Sequence, residues 1–172
     1  MVNAKALLNV FEKYLSNKEG WQLVPGSKVN YIFLSMKTYR GSKRTLADGT
    51  VVSPGDRIGE FHVNNNNMPR VDMSNFRQFN SDIKGEFVQM GKILKEGEFH
   101  DCKAFFGRTI LYPFVLKYGF EIFPIEKRSL QAFLNLWDRL IYHAYTQKKG
   151  TKHRSSQEVW ISAARLIELA EE

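Results

Sequence analysis

The sequence predicts an α+β fold, in which one small, mainly antiparallel sheet has four or five helices packed to one side or wrapped around it. Residues 28–67 combine strand-like alternation with two turn signals, and residues 72–145 are dominated by helical periodicity. The 172 residues are 43% apolar, which is enough for one domain with its own core. We divide this single domain, residues 1–172, into an N-terminal helix (1–18), a strand and hairpin region (28–67), a mainly helical part (72–145) and a closing part with a basic loop, a short strand and a C-terminal helix (147–172).

The first helix is expected from Ala4 to Leu15, where apolar residues recur at helical spacing. A strand from Lys28 to Tyr39 should follow. Its centre is apolar on both faces, which is typical of a strand inside a sheet.

Two turns and a second strand come next. Asp48-Gly49 favours a tight hairpin, because glycine readily adopts the positive φ that such turns need. Pro54-Gly55-Asp56 predicts another turn, since proline presets φ at its first position. The run Arg57–Val63 then alternates as a strand does, and Asn64–Asn67 should end it in a loop of amide side chains.

The strand Arg57–Val63 carries the main candidate site. Phe61 and Val63 should face the core, which places Glu60 and His62 together on the opposite face. A carboxylate beside an imidazole can fix its tautomer, so the pair is a candidate general base or acid, with Glu60 orienting His62. The same pair could instead supply two metal ligands, or only bond to neighbouring strands or to water, and the pattern alone does not decide between these alternatives.

The remaining elements are mostly helical. Asp72–Lys95 has a regular apolar stripe, with Asp72 or Ser74 as its cap. A second helix is expected from His100 or Asp101 to Lys117, broken near Pro113. The later predicted elements are a strand at Phe120–Phe123 after Gly119, a helix at Ser129–Tyr145, a basic loop at Gln147–Ser156, a strand at Gln157–Ile161 and a helix at Ala163–Ala170 capped by Ser162.

Three segments carry a resemblance to a known family: DGTVVSPGDRIGEFHVNN (48–65), GRTILYPFVLKYGFEI (107–122) and EVWIS (158–162). In them the chain resembles the bacterial YkoP-like family, small domains found alone or near polysaccharide deacetylase and glycosyltransferase genes. The resemblance covers most of the chain. It implies a setting linked to the cell envelope or to glycans, with no particular reaction attached. The positions that match the family pattern are Asp56, Glu60, His62, Asn65, Thr109 and Trp160.

The composition of the chain limits the cellular locations and the kinds of partner that we expect. The net charge is +7, which attracts nucleic acid, anionic headgroups or acidic polymers. A single cysteine, Cys102, excludes an internal disulfide, and no apolar run is long enough to span a bilayer. We therefore expect a cytoplasmic or membrane-peripheral protein. No histidine spacing is typical of a metal site, and the sequence indicates no cofactor.

The leading hypothesis is a cleft lined by Glu60, His62 and Asn65 that binds, or modifies, an anionic or carbohydrate-containing envelope molecule. Arginine would pair with a phosphate or carboxylate there. The candidate cations are Arg40, Arg57 and Arg108.

Two alternatives remain open at this point. The basic groups around Tyr39 and in residues 147–156 would suit a non-catalytic nucleic-acid-binding module, although no known binding motif is present. Cys102 with His62 would suit a papain-like cysteine hydrolase, if Cys102 lies at a helix start where the dipole lowers its pKa.

Overall fold

The structure is a computed structural model that describes residues 4–67, 75–110, 112–146 and 155–172. The helices in these residues are α1 (Ala4–Glu19), α2 (Phe76–Lys95), α3 (Tyr112–Val115), α4 (Arg128–Thr146) and α5 (Ala163–Glu171). The strands are β1 (Gln22–Leu23), β2 (Ile32–Thr38), β3 (Arg44–Thr45), β4 (Val51–Val52), β5 (Arg57–Val63), β6 (Cys102–Thr109), β7 (Glu121–Phe123) and β8 (Gln157–Ser162). In this part of the chain, no helix has the length and apolar character needed to cross a membrane.

Six strands form a mixed sheet in the order β1-β2-β5-β6-β8-β7, and β3 pairs with β4 in a separate hairpin. Only β5 and β6 run parallel among the described pairs, and the other neighbours are antiparallel. The predicted α+β class and single domain are therefore confirmed. The sheet is larger than the hairpin region alone suggested, because β6, β7 and β8 join it from the second half of the chain.

One face of the sheet is covered by α2 and α5. Leu34, Phe105 and Ile161 from three strands are almost fully buried there, against Met90 of α2 and Leu166 of α5. The two helices approach closely at Gly91, where an added Cβ would overlap the carbonyl oxygen of Leu166. This apolar layer fixes which face of β5 and β6 is left for polar groups.

The opposite face holds a second, smaller core beneath the β3–β4 hairpin. Ile58 of β5, Phe106 of β6 and Trp160 of β8 pack there, together with Leu46 and Val52 of the hairpin. Phe106 and Trp160 stack with ring centroids 4.9 Å apart. The charged residues of the site lie beside this core on the same face.

The prediction of one helix from His100 or Asp101 to Lys117 is wrong, because residues 102–109 form the strand β6. Residues 104–107 are buried on both faces of the sheet, between β5 and β8. Their sequence therefore lacks the alternation of apolar and polar residues that would distinguish a strand from a buried helix. Pro113 lies within the first turn of the short helix α3, where the missing amide costs no bond. Gly119, with φ of 93°, ends a 3-10 helix at Leu116–Tyr118, in keeping with the preference for glycine after the end of a helix.

Other boundaries differ by a few residues. β2 begins at Ile32 instead of Lys28, because the preceding loop bends back and Asn30 adopts φ of 55°. Helix α2 begins at Phe76 and is capped by Asn75, whose side chain accepts from the amide of Gln78. The caps expected at residues 72 and 74, and residues 147–154 of the basic loop, lie outside the described residues. The other predicted elements are present, including the cap at Ser162.

Candidate functional site

A row of alternating charges crosses the face of the sheet that α2 and α5 leave uncovered. Its members are, in order across the sheet, Lys37 of β2, Glu60 of β5, Arg108 of β6, Glu158 of β8 and Arg44 of β3. Nη1 of Arg108 lies 2.9 Å from Oε1 of Glu60, and its Nε lies 3.2 Å from Oε2 of Glu158. Nη1 of Arg44 lies 3.1 Å from Oε1 of Glu158, and Nζ of Lys37 contacts Oε2 of Glu60. We call these five residues the charge row.

Strand pairing explains why residues so distant in sequence meet. Arg108 and Glu158 are direct partners in the β6–β8 register, so their side chains share one face. In the β5–β6 register, Glu60 lies opposite Phe106, which is two residues before Arg108 and on the same face of the sheet. The guanidinium of Arg108 can therefore bridge the carboxylates of Glu60 and Glu158.

Burial differs sharply between the two acids of the charge row and two of its three bases, since the third base, Arg44, is 12% exposed and as buried as the acids. The side chains of Glu60 and Glu158 are 7% and 11% exposed, whereas those of Lys37 and Arg108 keep 35% and 28% of their surface. Buried carboxylates need paired cations, which these contacts supply. The result is a pair of buried acids beneath two partly exposed cations, Lys37 and Arg108.

His62 lies next to the charge row, on the same face as Glu60. Its ring stacks on the indole of Trp21, and its Nε2 lies 3.1 Å from Oγ of Ser35 and 3.7 Å from Oε2 of Glu60. Burial lowers the pKa of His62 to about 4, against the opposing effect of the Glu60 charge. The imidazole is therefore neutral near pH 7.

Ser35, His62 and Glu60 do not form a hydrolytic triad. In such a triad the nucleophile lies at Nε2 and the acid at Nδ1, whereas here the hydroxyl and the carboxylate both lie on the Nε2 side. The side chain of Ser35 also belongs to a residue that is only 1% exposed, so a substrate does not reach it.

Glu19, at the end of α1, completes the group near His62. Its carboxylate accepts from Nε1 of Trp21 at 3.0 Å and from Nζ of Lys37 at 3.2 Å. Although burial raises the pKa of Glu19, these two donors hold it below its ordinary value. Glu19, Glu60 and His62 place three possible metal-ligand atoms within 4.8 Å of one another, and the ammonium of Lys37 contacts both carboxylates in this group.

Lys37, Glu19 and Trp21 were missed from the sequence. A usable signal existed for Lys37, because alternation along β2 places Phe33, Ser35 and Lys37 on one face. No local pattern points to Glu19 or Trp21, which reach the site through the turn between α1 and β1.

Three predicted site residues lie elsewhere. Asp56 and Arg57 stand just before and at the start of β5, about 20 Å from its far end at roughly 3.4 Å per residue, and they pair with Lys103 and Asp101. Arg40 is exposed in the loop after β2. None of the three contacts a member of the charge row in the described residues.

Two further predicted residues have supporting positions. Asn65 donates from Nδ2 to Oε2 of Glu12 at 2.9 Å, which ties the end of β5 to α1. Trp160 is 1% exposed and donates from Nε1 to Oε1 of Glu158 at 2.8 Å, so it holds a member of the charge row from within the core.

An apolar cavity of about 80 Å³ opens on the other face of the sheet, beside the carboxyl ends of the parallel strands β5 and β6. Its lining is almost entirely apolar. It includes Thr109, which is also one of the candidate binding residues predicted from the sequence. His62 and Arg108 also contribute to its lining, so the cavity adjoins the charge row.

Cys102 is not placed as a nucleophile. It begins strand β6 instead of a helix, its Sγ lies 3.3 Å from Sδ of Met36, and burial raises the pKa of its thiol to about 11. Its register partner is Arg57, at the opposite end of β5 from His62. The structure therefore does not bring Cys102 and His62 together.

Comparison with known proteins gives one match. The sequence model of the YkoP domain matches residues 4–170, nearly the whole chain. No curated protein and no solved structure matches.

Proposed function

This chain belongs to the YkoP domain family, and we propose that it binds an anionic, carbohydrate-containing molecule of the cell envelope at the charge row beside Trp21 and His62. The observation that carries the proposal is the arrangement of Lys37 and Arg108. Both cations are held in place by the buried carboxylate of Glu60 while about a third of each side chain stays exposed.

Both cations keep donors for a ligand. A guanidinium carries five N–H groups, and the contacts of Arg108 with Glu60 and Glu158 engage two of its three nitrogens. Lys37 has three N–H groups and contacts the two carboxylates of Glu19 and Glu60. Because the carboxylates already fix both side chains, little conformational entropy is lost when a phosphate or carboxylate binds.

The neighbouring groups suit a sugar. Trp21 is partly exposed and offers an aromatic surface on which the apolar face of a sugar ring can pack. Glu19, 33% exposed, and the neutral ring of His62 supply acceptors or donors for hydroxyl groups. Cations, an aromatic ring and hydroxyl partners thus lie within one small area.

The geometry favours binding over acid–base catalysis. An efficient general base has a pKa near the working pH, whereas the pKa of His62 is about 4. The carboxylate of Glu60 is engaged in ion pairs with two cations. We therefore assign Glu60 the role of positioning Lys37 and Arg108, and His62 the role of a ligand contact.

The test is a titration followed by tryptophan fluorescence, with glucose 1-phosphate and glucuronate as probes and glucose as the uncharged control. We expect the anionic sugars to change the emission of Trp21, and Trp21→Phe to abolish that change. Lys37→Gln should weaken binding about tenfold or more, because hydrogen bonds to a charged group are worth about 1.5 kcal/mol or more.

Lys103→Gln is the matched control. It removes the same charge from the same sheet, but Lys103 pairs with Asp56 near the start of β5, away from the charge row. If Lys37→Gln and Lys103→Gln weaken binding equally, net charge alone explains the loss of affinity, and the proposed site is refuted. An unchanged emission with both anionic sugars at millimolar concentration would refute it as well.

A further inference from the structure

The apolar cavity opens on the face of the sheet opposite the charge row and adjoins it at His62 and Arg108, and from this we infer that the ligand is an amphiphile whose hydrocarbon chain passes the ends of β5 and β6 and enters the cavity. This inference rests on the proposed function and extends it from the polar head to the apolar part of the ligand.

The lining of the cavity suits a hydrocarbon chain. Aromatic side chains from α2, α3 and the strands surround it, joined by aliphatic ones. The aromatic members are Tyr31, Phe61, Phe79, Phe87, Phe114 and Phe120. Apolar cavities of this kind exclude water and take up apolar molecules, since water would find no hydrogen-bonding partners there.

The position of the cavity suits an amphiphile with an anionic head. It lies beside the carboxyl ends of the parallel pair β5 and β6, the end of parallel strands at which ligands commonly bind. His62 near the end of β5, and Arg108 and Thr109 at the end of β6, are among the polar residues that line it. Arg108 belongs to the charge row as well, so a chain that passes the ends of β5 and β6 would connect the cavity with a head group beside the guanidinium on the other face of the sheet.

The free energy of burying methylene groups makes the proposed hydrocarbon chain testable. Each methylene transferred from water to an apolar site is worth about 0.8 kcal/mol, or about fourfold in affinity. A chain that enters the cavity should therefore tighten binding with every added methylene until the cavity is filled. A chain that stays outside should have no such effect.

The experiment uses n-alkyl phosphates from ethyl to octyl, with inorganic phosphate as the head group alone, titrated into the full chain by calorimetry. We expect affinity to rise about fourfold per methylene once the chain is long enough to pass the strand ends into the cavity, and then to level off. Val115→Phe fills part of the cavity and should bring the plateau to shorter chains.

Leu116→Phe is the matched control, because Leu116 is the next residue along, does not line the cavity and is 40% exposed. It should leave the chain-length series unchanged. If Val115→Phe does not fold, the wild-type series still decides the matter.

The outcomes separate the two proposals. Binding that requires Lys37 but does not change with chain length would overturn the hydrocarbon inference and leave the anion site standing. Binding that follows chain length but is insensitive to Lys37→Gln would support the cavity and contradict the proposed function. Identical series for the Val115→Phe and Leu116→Phe variants would show that the chain binds elsewhere.

Discussion

The imidazole of His62 lies almost parallel to the indole of Trp21, with ring centroids 3.8 Å apart and planes inclined by 16°. The indole shields one face of the imidazole from water, and Trp21 is itself held by its bond to Glu19. Burial, to which the indole contributes, is the main reason that the imidazole resists protonation, because a charged ring would lose its hydration. The protonation of His62 therefore depends on the position of Trp21 in the turn after α1.

Acid should destabilise the protein in part through His62. Its folded-state pKa of about 4 lies below the ordinary 6.5, so the unfolded chain binds the proton more tightly. The stabilisation is complete above about pH 6.5 and is lost as the pH falls towards 4. Between about pH 7 and pH 4.5, urea titrations should show wild type losing about 2 kcal/mol more unfolding free energy than His62→Gln.

The comparison with His62→Gln is needed because other charges face the ring. Lys37 and Arg108 disfavour the charged imidazole, whereas Glu60 and Glu19 favour it. All four remain in the variant, so their own titration is largely shared. A pKa of His62 near 6.5 in an NMR titration of the folded protein would contradict this account.

The stability of the protein should depend strongly on Arg108, at the centre of the charge row. Arg108→Met removes the guanidinium that bridges Glu60 and Glu158 and leaves two buried carboxylates short of a partner. We expect a loss of about 2–4 kcal/mol in unfolding free energy, measured by urea denaturation at neutral pH. Arg57→Met, which breaks an exposed pair with Asp101, should have little effect. Equal stabilities of the two variants would mean that the charge row contributes no net pairing energy.

The strand β5 and its turns could be predicted because their signals are local. Proline and glycine mark the turn before Arg57, and the alternation from Ile58 to Val63 shows which side chains share a face. That information placed Glu60 beside His62. The partners Lys37 and Arg108 could not be predicted, since they depend on the register of β2 and β6 against β5.

The strand β6 could not be recognised because it is buried on both faces. Ala104, Phe105 and Phe106 are all in the core, so neither the period of a strand nor that of a helix appears in the sequence. This one error moved Cys102 to a helix start and suggested a reactive thiol. The fold class was still correct, because the antiparallel hairpins and the long amphipathic helices determine it.

The thiol of Cys102 should be unreactive in the folded protein. It is 4% exposed, and burial raises its pKa to about 11, so very little thiolate forms at neutral pH. We expect the aromatic disulfide reagent DTNB to label it at a rate set by unfolding, and rapidly in concentrated urea. Cys102→Ala should leave binding at the charge row unchanged. Fast labelling of the native protein would show that this end of β6 is open.

Two glycines of α2 should respond in opposite ways to the same substitution. An alanine Cβ at Gly91 would overlap the carbonyl oxygen of Leu166 and lie 2.8 Å from Cβ of Ala170, so α5 would have to move. We expect Gly91→Ala to cost at least about 2 kcal/mol, because overpacking forces the backbone to shift. At Gly85 the added Cβ meets no heavy atom within 4 Å, and alanine favours a helix over glycine by up to about 1 kcal/mol.

Urea unfolding followed by circular dichroism measures both glycine variants under one condition. Because each adds one methyl group to the same helix, the change in helix propensity cancels between them. The difference in stability then reports only the contact between α2 and α5, which supports the sheet from the face opposite the charge row. A Gly91→Ala variant as stable as Gly85→Ala would show that the two helices do not pack as closely as the structure places them.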